Sequence, residues 1–397
     1  MKRLKWIGLI GMMILSLWTG FAEEVKSCQA EPLPFSTVSL YRSEEELDTL
    51  MRDQKEVKLL FTGDMMFHMP QIEGARIPGG AGYDFTRSFE AIADIVSQAD
   101  LAIANLETTL SGDRLPYRGY PQFNTPDQAA SAIKAAGFDV LITANNHSVD
   151  GGKRGLERTL DVLDSLGFSH TGTKRPEEEA VLIAEVKGIR IAMINGTYGL
   201  NGLESYLTPE ERVTMIRMIG DGERIAAEIE AVRPLVDYLV VLPHWGNEYQ
   251  RQPSSKQRRL ADKWLEAGAD AIIGSHPHVI QPMMVNEEGH LIAYSLGNAI
   301  SNQRERPGKP AYWQFTEDGV LLKVTLVKDP WTGETDLGRV SAIPTHVERK
   351  WNGEKWSHRI VPAIPEDEET GVSWQRTADQ VRGQPDQENL SEIVMNV

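Results

Sequence analysis

Six side chains in this sequence form a set that could hold a divalent metal: Asp64, Glu107, Asn146, His244, His276 and His278. They mix oxygen and nitrogen donors without a thiolate, which suits one or two ions of manganese, iron or zinc better than calcium. His276-Pro277-His278 is the most specific pair, because two imidazoles one residue apart on a turning segment can face neighbouring ions. Each residue also has an ordinary reading. His-x-His can be a hydrogen-bonded loop pair, and His244 after an apolar run can be a satisfied core histidine. Asp64 can cap a helix, Asn145-Asn146 can form a turn, and Glu107 can pair with an arginine. Position argues for the joint site: five times, a short apolar run leads into one of these clusters.

That recurrence defines the elements that must position the site. Val57 to Phe61 leads to Gly63-Asp64. Asp100 precedes Leu101 to Ala104 and then Asn105-Leu106-Glu107; Asp139 precedes Val140 to Ile142 and then Asn145-Asn146-His147. Asp237 precedes Tyr238 to Leu242 and then Pro243-His244; Asp270 precedes Ala271 to Ile273 and then Gly274 to His278. Such runs read as strands buried on both faces. Amphipathic stretches at 88–97, 127–136, 155–166, 222–232 and 256–267 read as helices between them, several closing on a glycine corner. Alternating strands and helices imply an α/β fold with a mostly parallel sheet, whose ligands lie beyond the strands' carboxyl ends. After Gly319, the runs 320–327 and 340–347 flank the turn Asp329-Pro330-Trp331-Thr332-Gly333 and read as antiparallel strands.

The bulk composition sets outer limits. The chain has 397 residues, 41% apolar and 25% charged, enough to bury a large core. A net charge of -16 argues against nucleic acid and anionic membrane surfaces as partners. It leaves room for an anionic substrate, since bound cations invert the local field. The single cysteine, Cys28, excludes internal disulfides and a cysteine-rich zinc site. Lys2, Arg3 and Lys5 precede an uncharged run from Trp6 to Ala22, followed by Glu23 and Glu24, the pattern of an export signal. At about 17 residues the run can remain as a membrane anchor. Gly20-Phe21-Ala22 alternatively offers a cleavage site that would release the protein. The expected organisation is a signal or anchor at 1–22, a polar spacer at 23–54, one domain at 55–362 and an acidic tail at 363–397 without fixed structure.

Six motifs in order carry a resemblance. Thr62-Gly63-Asp64, Asn105-Leu106-Glu107, Asn145-Asn146-His147, His244 to Tyr249, Gly274 to Val279 and Tyr294 to Asn298 resemble the CapA/PgsA capsule-synthesis proteins, a bacterial family associated with poly-γ-glutamate production. The match runs from about residue 57 to 305 and weakens toward 350. That family is similar in turn to the calcineurin-like metallophosphoesterases, which implies a β-sandwich flanked by helices, here with a C-terminal antiparallel extension. The resemblance implies Asp64 and His278 on a first metal, Glu107 bridging, and Asn146, His244 and His276 on a second. His147, oriented by Asp150, would protonate a leaving oxygen or stabilise the transition state, with a metal-activated water as nucleophile. Asn105, Asn145, Arg118, Glu248 and Asn298 would line the substrate, although the loop carrying Arg118 and Tyr120 can equally be solvated.

Two positions depart from the superfamily pattern. Met66 stands where a histidine ligand is usual, and Glu107 replaces an aspartate, so the site could hold one ion rather than two. The implied function is an extracytoplasmic, membrane-associated component of poly-γ-glutamate synthesis or export, working with that anionic polymer and other membrane subunits. One alternative is a secreted hydrolase of phosphoester or polymer amide bonds. The other is a non-catalytic scaffold bridging metals to polymer carboxylates, which a ligand lost at Met66 favours.

Overall fold

The computed structural model describes residues 55–80, 82–179, 181–381 and 394–395. The expected anchor at 1–22, the spacer at 23–54 and Cys28 lie outside the described residues. Among the described residues, no helix is long and apolar enough to cross a membrane.

Two sheets pack face to face, with strands numbered in chain order. The first contains β1 (Lys55–Met65), β2 (Leu101–Leu106), β3 (Val140–Ile142) and β4 (Ser169–Thr171), all mutually parallel. The second runs β5 (Leu182–Val186), β6 (Ile189–Thr197), β7 (Tyr238–His244), β8 (Ala271–Ile273), then β10 (Leu291–Ala293) and β9 (Met283–Val285), with a parallel centre and antiparallel edges. The chain then returns to the first sheet. There β11 (Asn298–Ile300) pairs parallel with the end of β1, and β12 (Asp318–Lys328), β13 (Thr335–Trp351) and β14 (Trp356–Pro362) form an antiparallel wing. A two-residue β15 (Val394–Met395) adds to β13.

Alternation along each strand sorts the side chains between layers. Leu59, Phe61, Ile103 and Ile142 face inward and meet Ile191, Met193, Val240 and Ile273 of the opposite sheet. Leu60, Ala102, Ala104 and Leu141 face outward into a layer with Ile133 and Leu163 from the flanking helices and Phe138 from the corner before β3. On the other side, the helices Glu223–Val232 and Ser255–Glu266 cover the second sheet through Ile225, Ile229, Leu260 and Trp264. The protein is therefore an α/β sandwich flanked by helices.

The recurring aspartate before each strand now has a physical role. Asp100 accepts the backbone N–H of Lys58 at 2.9 Å, Asp139 that of Ala102 at 2.9 Å, Asp237 that of Arg190 at 2.7 Å and Asp270 that of Leu239 at 2.7 Å. Each carboxylate satisfies an N–H of the adjacent strand at the sheet's entry end, so neighbouring strands start in register.

Two expectations need correction, and one strand was missed. The helix placed over 88–97 forms only at Ala93–Val96, after a 3₁₀ turn at Thr86–Ser88. The strand Ile189–Thr197 was not anticipated. The tail beyond 362 contains the helix Gly371–Val381, which the sandwich fixes through polar contacts rather than a large apolar face. Arg376 clasps both oxygens of Asp318 at 2.7 and 2.6 Å, while Ser373, Thr377 and Ala378 are buried.

Candidate metal centre

The strand ends converge where the two sheets meet. Asp64 is near the end of β1 and Glu107 directly follows β2. Asn146 and His147 lie in the turn after β3, His244 ends β7, and His276 and His278 follow β8. All seven are at most 4% exposed, so their polar atoms must find partners within the protein or a ligand.

Glycine allows the close approach this requires. A Cβ on Gly63 would lie 1.8 Å from the Gly297 carbonyl oxygen, and the same close approach lets the Asp64 N–H donate to that oxygen at 3.0 Å. His276 and His278 adopt left-handed backbone, with φ of 96° and 58°. Non-glycine residues there carry strain of about 1–3 kcal/mol each, and two in three residues indicates a turn over-determined by its surroundings.

The ligating atoms form interleaved groups. Carboxylate and imidazole atoms of Asp64, Glu107 and His244 lie within 4.8 Å of one another, as do those of Glu107, His276 and His278. Glu107 belongs to both groups, although the histidines divide differently from the implied first and second metals. His244 Nε2 stands 2.8 Å from Asn146 Oδ1. This hydrogen bond sets two candidate ligand atoms side by side.

Electrostatics support the same fit. Burial, followed by the charge of Asp64, pushes the Glu107 carboxyl well above its ordinary range. Burial and the neighbouring imidazoles hold His244 and His276 well below theirs, in the neutral form a metal needs. Glu107 Oε1 and His276 Nδ1 are buried without a hydrogen-bond partner among the described residues. Two bare acceptors beside clustered carboxylates are what a divalent cation would satisfy.

Other anticipated residues take different places. Asn105 Nδ2 donates to Asp64 Oδ1 at 2.8 Å and lies 3.3 Å from His244 Nδ1, bracing two candidate ligands. Asn145 donates to Asn105 Oδ1 at 3.2 Å and to the Leu106 carbonyl at 2.8 Å, tying the third strand end to the second. His147 Nδ1 is 2.7 Å from Asp150 Oδ2, which also accepts the Phe123 N–H at 2.6 Å. The Phe123 ring stands edge-on to His147 at 4.7 Å. Arg118 donates to the Asp150 carbonyl at 3.4 Å, whereas Tyr120 is 77% exposed. Glu248 is exposed, and its charge contributes to the rise at Glu107. Asn298 pairs in register with Asp64, but its amide nitrogen donates to Gln303 Oε1 and the Thr316 carbonyl at 3.0 and 2.9 Å.

Met66 is buried, with its N–H on the Ile300 carbonyl. His68 turns back toward the centre: its ring lies 5.1 Å from Phe123, and its Nδ1 accepts the Asn302 N–H at 3.3 Å. Sequence reasoning missed the support supplied by β6 and its following loop. Asn195 accepts the Ala144 N–H at 2.8 Å and donates to the Leu242 carbonyl at 2.6 Å, locking two strand ends together. Tyr198 packs on His276 at 4.5 Å, and Asn201 accepts from Asn146 at 3.2 Å. The apolar alternation of Ile189 to Ile194 was the available signal.

Comparison with known proteins adds an independent line. The family described as "Bacterial capsule synthesis protein PGA_cap" matches residues 58–303. The chain is 25% identical over 354 residues to the capsule biosynthesis protein CapA of Bacillus anthracis, covering 86% of this chain and 80% of that one. It is 29% identical over 248 residues to the PGA biosynthesis protein CapA of Bacillus subtilis (strain 168), covering 61% of each. Among solved structures, the calcineurin-like phosphoesterase YfkN from Bacillus subtilis aligns with a TM-score of 0.46 and 16% identity over 82% of this chain and 97% of that one.

Proposed function

This chain belongs to the bacterial capsule synthesis protein family, and from that premise we propose that it is an extracytoplasmic, membrane-associated component of poly-γ-glutamate synthesis or export. The Bacillus anthracis relative's name supports the capsule role, and the Bacillus subtilis relative's name, a PGA biosynthesis protein, supports the polymer. The basic, apolar and acidic succession over residues 2–24 supports the location. The observation that carries a metal-dependent role is the buried convergence at Glu107, whose Oε1 has no partner while two ligand groups share its carboxylate.

In this reading Asp64, Glu107, Asn146, His244, His276 and His278 hold one or two divalent ions of the manganese, iron or zinc class. The bound cation would supply Lewis acidity and offset the carboxylate charge. The chain's own groups then orient what binds. Asn105 fixes Asp64 and His244, and Asn145 fixes Asn105. Deleting the gene in a producing strain should abolish capsular or secreted polymer, with wild type restoring it and His276→Ala failing to do so. Unchanged polymer on deletion would overturn the capsule role; full rescue by His276→Ala would overturn the metal-centre role.

The His147–Asp150 pair favours a second reading, hydrolysis of a phosphoester or polymer amide. With Nδ1–H donated to the carboxylate, His147 keeps Nε2 as the nitrogen able to move a proton, and Phe123 limits rotation of the ring. If this pair performs chemistry, Asp150→Asn should lower turnover about 100-fold with metal content unchanged. Manganese-loaded protein without turnover on either substrate class would count against this second reading.

A further inference from the structure

A cleft of about 350 Å³ lies between the helix Met69–Ala75, the loop that follows it and the β13–β14 hairpin. None of its lining residues belongs to the metal centre, and its volume falls within the usual range for ligand sites. In a chain of net charge -16, this wall presents Arg76, Arg87 and Lys355 against one carboxylate, Asp84. Arg76 is engaged by Glu73 at 3.3 Å, and Lys355 donates to the Arg76 carbonyl. No ion-pair partner accompanies Arg87 among the described residues. Asp84 is committed locally, accepting the Thr86 N–H at 2.9 Å.

The second observation lies deeper in the wall. His358 is 4% exposed, and its Nε2 is 3.0 Å from Asn302 Oδ1, so Nε2 carries the proton. Burial, with Arg349 and Arg304 nearby, lowers its pKa to about 3 and keeps the ring neutral. Its Nδ1 is therefore a bare acceptor, buried and without a partner. Cations alone would suit any anion. A buried acceptor beside them favours a ligand that also brings a hydrogen-bond donor, which sulfate and a fully ionised polycarboxylate lack.

We propose that this cleft binds a segment of an acidic, amide-linked chain. A backbone N–H meets His358 Nδ1, while pendant carboxylates meet Arg87 and Lys355. Resting on the capsule reading above, the segment is γ-linked polyglutamate, held at a place separate from the metal centre. The two places are physically joined: Asn302, which accepts from His358, donates its N–H to His68, and His68 packs on Phe123 against His147.

The test is fluorescence anisotropy of a labelled γ-glutamyl oligomer with the full chain at low salt. Saturable binding is expected, weakened on the order of tenfold or more by combined Arg87→Ala and Lys355→Ala, with an unchanged melting temperature. Polyacrylate, which has carboxylates but no N–H, should compete about tenfold less well. Binding should survive removal of divalent ions by EDTA. No saturable binding by wild type, equal binding by the folded double variant, equal competition by polyacrylate or loss on EDTA treatment would each overturn the proposal. The capsule reading fails separately: polymer unchanged on gene deletion refutes that role without altering the anisotropy result.

Discussion

Asp64 and Glu107 are carboxylates in one buried pocket, but the protein treats them differently. Asp64 accepts from Asn105 Nδ2 at 2.8 Å, from the His276 N–H at 3.2 Å, and faces His278 Nδ1 at 3.0 Å. Glu107 receives one long hydrogen bond from Asn105 at 3.4 Å, and its Oε1, with His244 and His278 Nε2 at 3.6 and 3.7 Å, has no hydrogen-bond partner among the described residues. The fold itself stabilises the first carboxylate, whereas the second is left for something that is not protein. The same contrast divides the histidines: His244 touches Asn146 and Ser275, while His276 Nδ1 has no partner.

Metal affinity offers the largest test of this difference. His276→Ala should weaken divalent-ion binding by more than about 100-fold, beyond the 10–100-fold typical of losing an outer partner. Asp64→Asn should cost less, and equal losses by elemental analysis after dialysis would break the comparison. Asn105→Ala should fall within about 10–100-fold, because the ligands remain but lose their brace. A smaller effect concerns stability with metal removed. Glu107→Gln should then raise the melting temperature and Asp64→Asn lower it, each by about 1–3 kcal/mol or a few degrees. Shifts of the same sign would show that both carboxylates are equally provided for.

The last effect belongs to the wing and is read through pH. Burial lowers His346 to about 4 and His358 to about 3. The unfolded chain takes up these protons near pH 6.5 and the folded chain does not, so stability falls as pH drops from 6.5 toward 4. Each histidine contributes up to about 1.4 kcal/mol per pH unit. Metal-free protein should melt progressively lower from pH 6.5 to 5, and His346→Gln should flatten part of that slope. A flat wild-type profile would assign these histidines no such role.

Much of the centre was legible because chemistry and periodicity fell together. A strand buried on both faces is a continuous apolar run, and the residue that ends it stands out, as His244 does after Tyr238 to Leu242. The supports were harder to read. Asn195 sits in a strand with no adjoining cluster of ligand types, and its value comes from touching Ala144 and Leu242, roughly fifty residues away on either side. The helix Gly371–Val381 escaped notice for a related reason. Its anchors are Arg376 on Asp318 and buried Ser373 and Thr377, and hydropathy cannot report a polar side chain whose partner is remote. His68 shows the converse: four residues beyond Asp64, it returns toward the site because it begins a helix.

The aspartates that open the strands turn those strands into rulers. From Asp100 to Glu107 and from Asp237 to His244 the interval is the same, seven residues, with a mark clamped to a neighbour at one end and a metal-seeking group at the other. Inserting one residue between the marks would advance the far end by about 3.3 Å and send its side chain to the opposite face. A metal bond tolerates an error of about 0.2 Å. Composition within these strands can therefore drift among apolar residues, but their length cannot, and two separate gauges cut to one length deliver their tips to a single point.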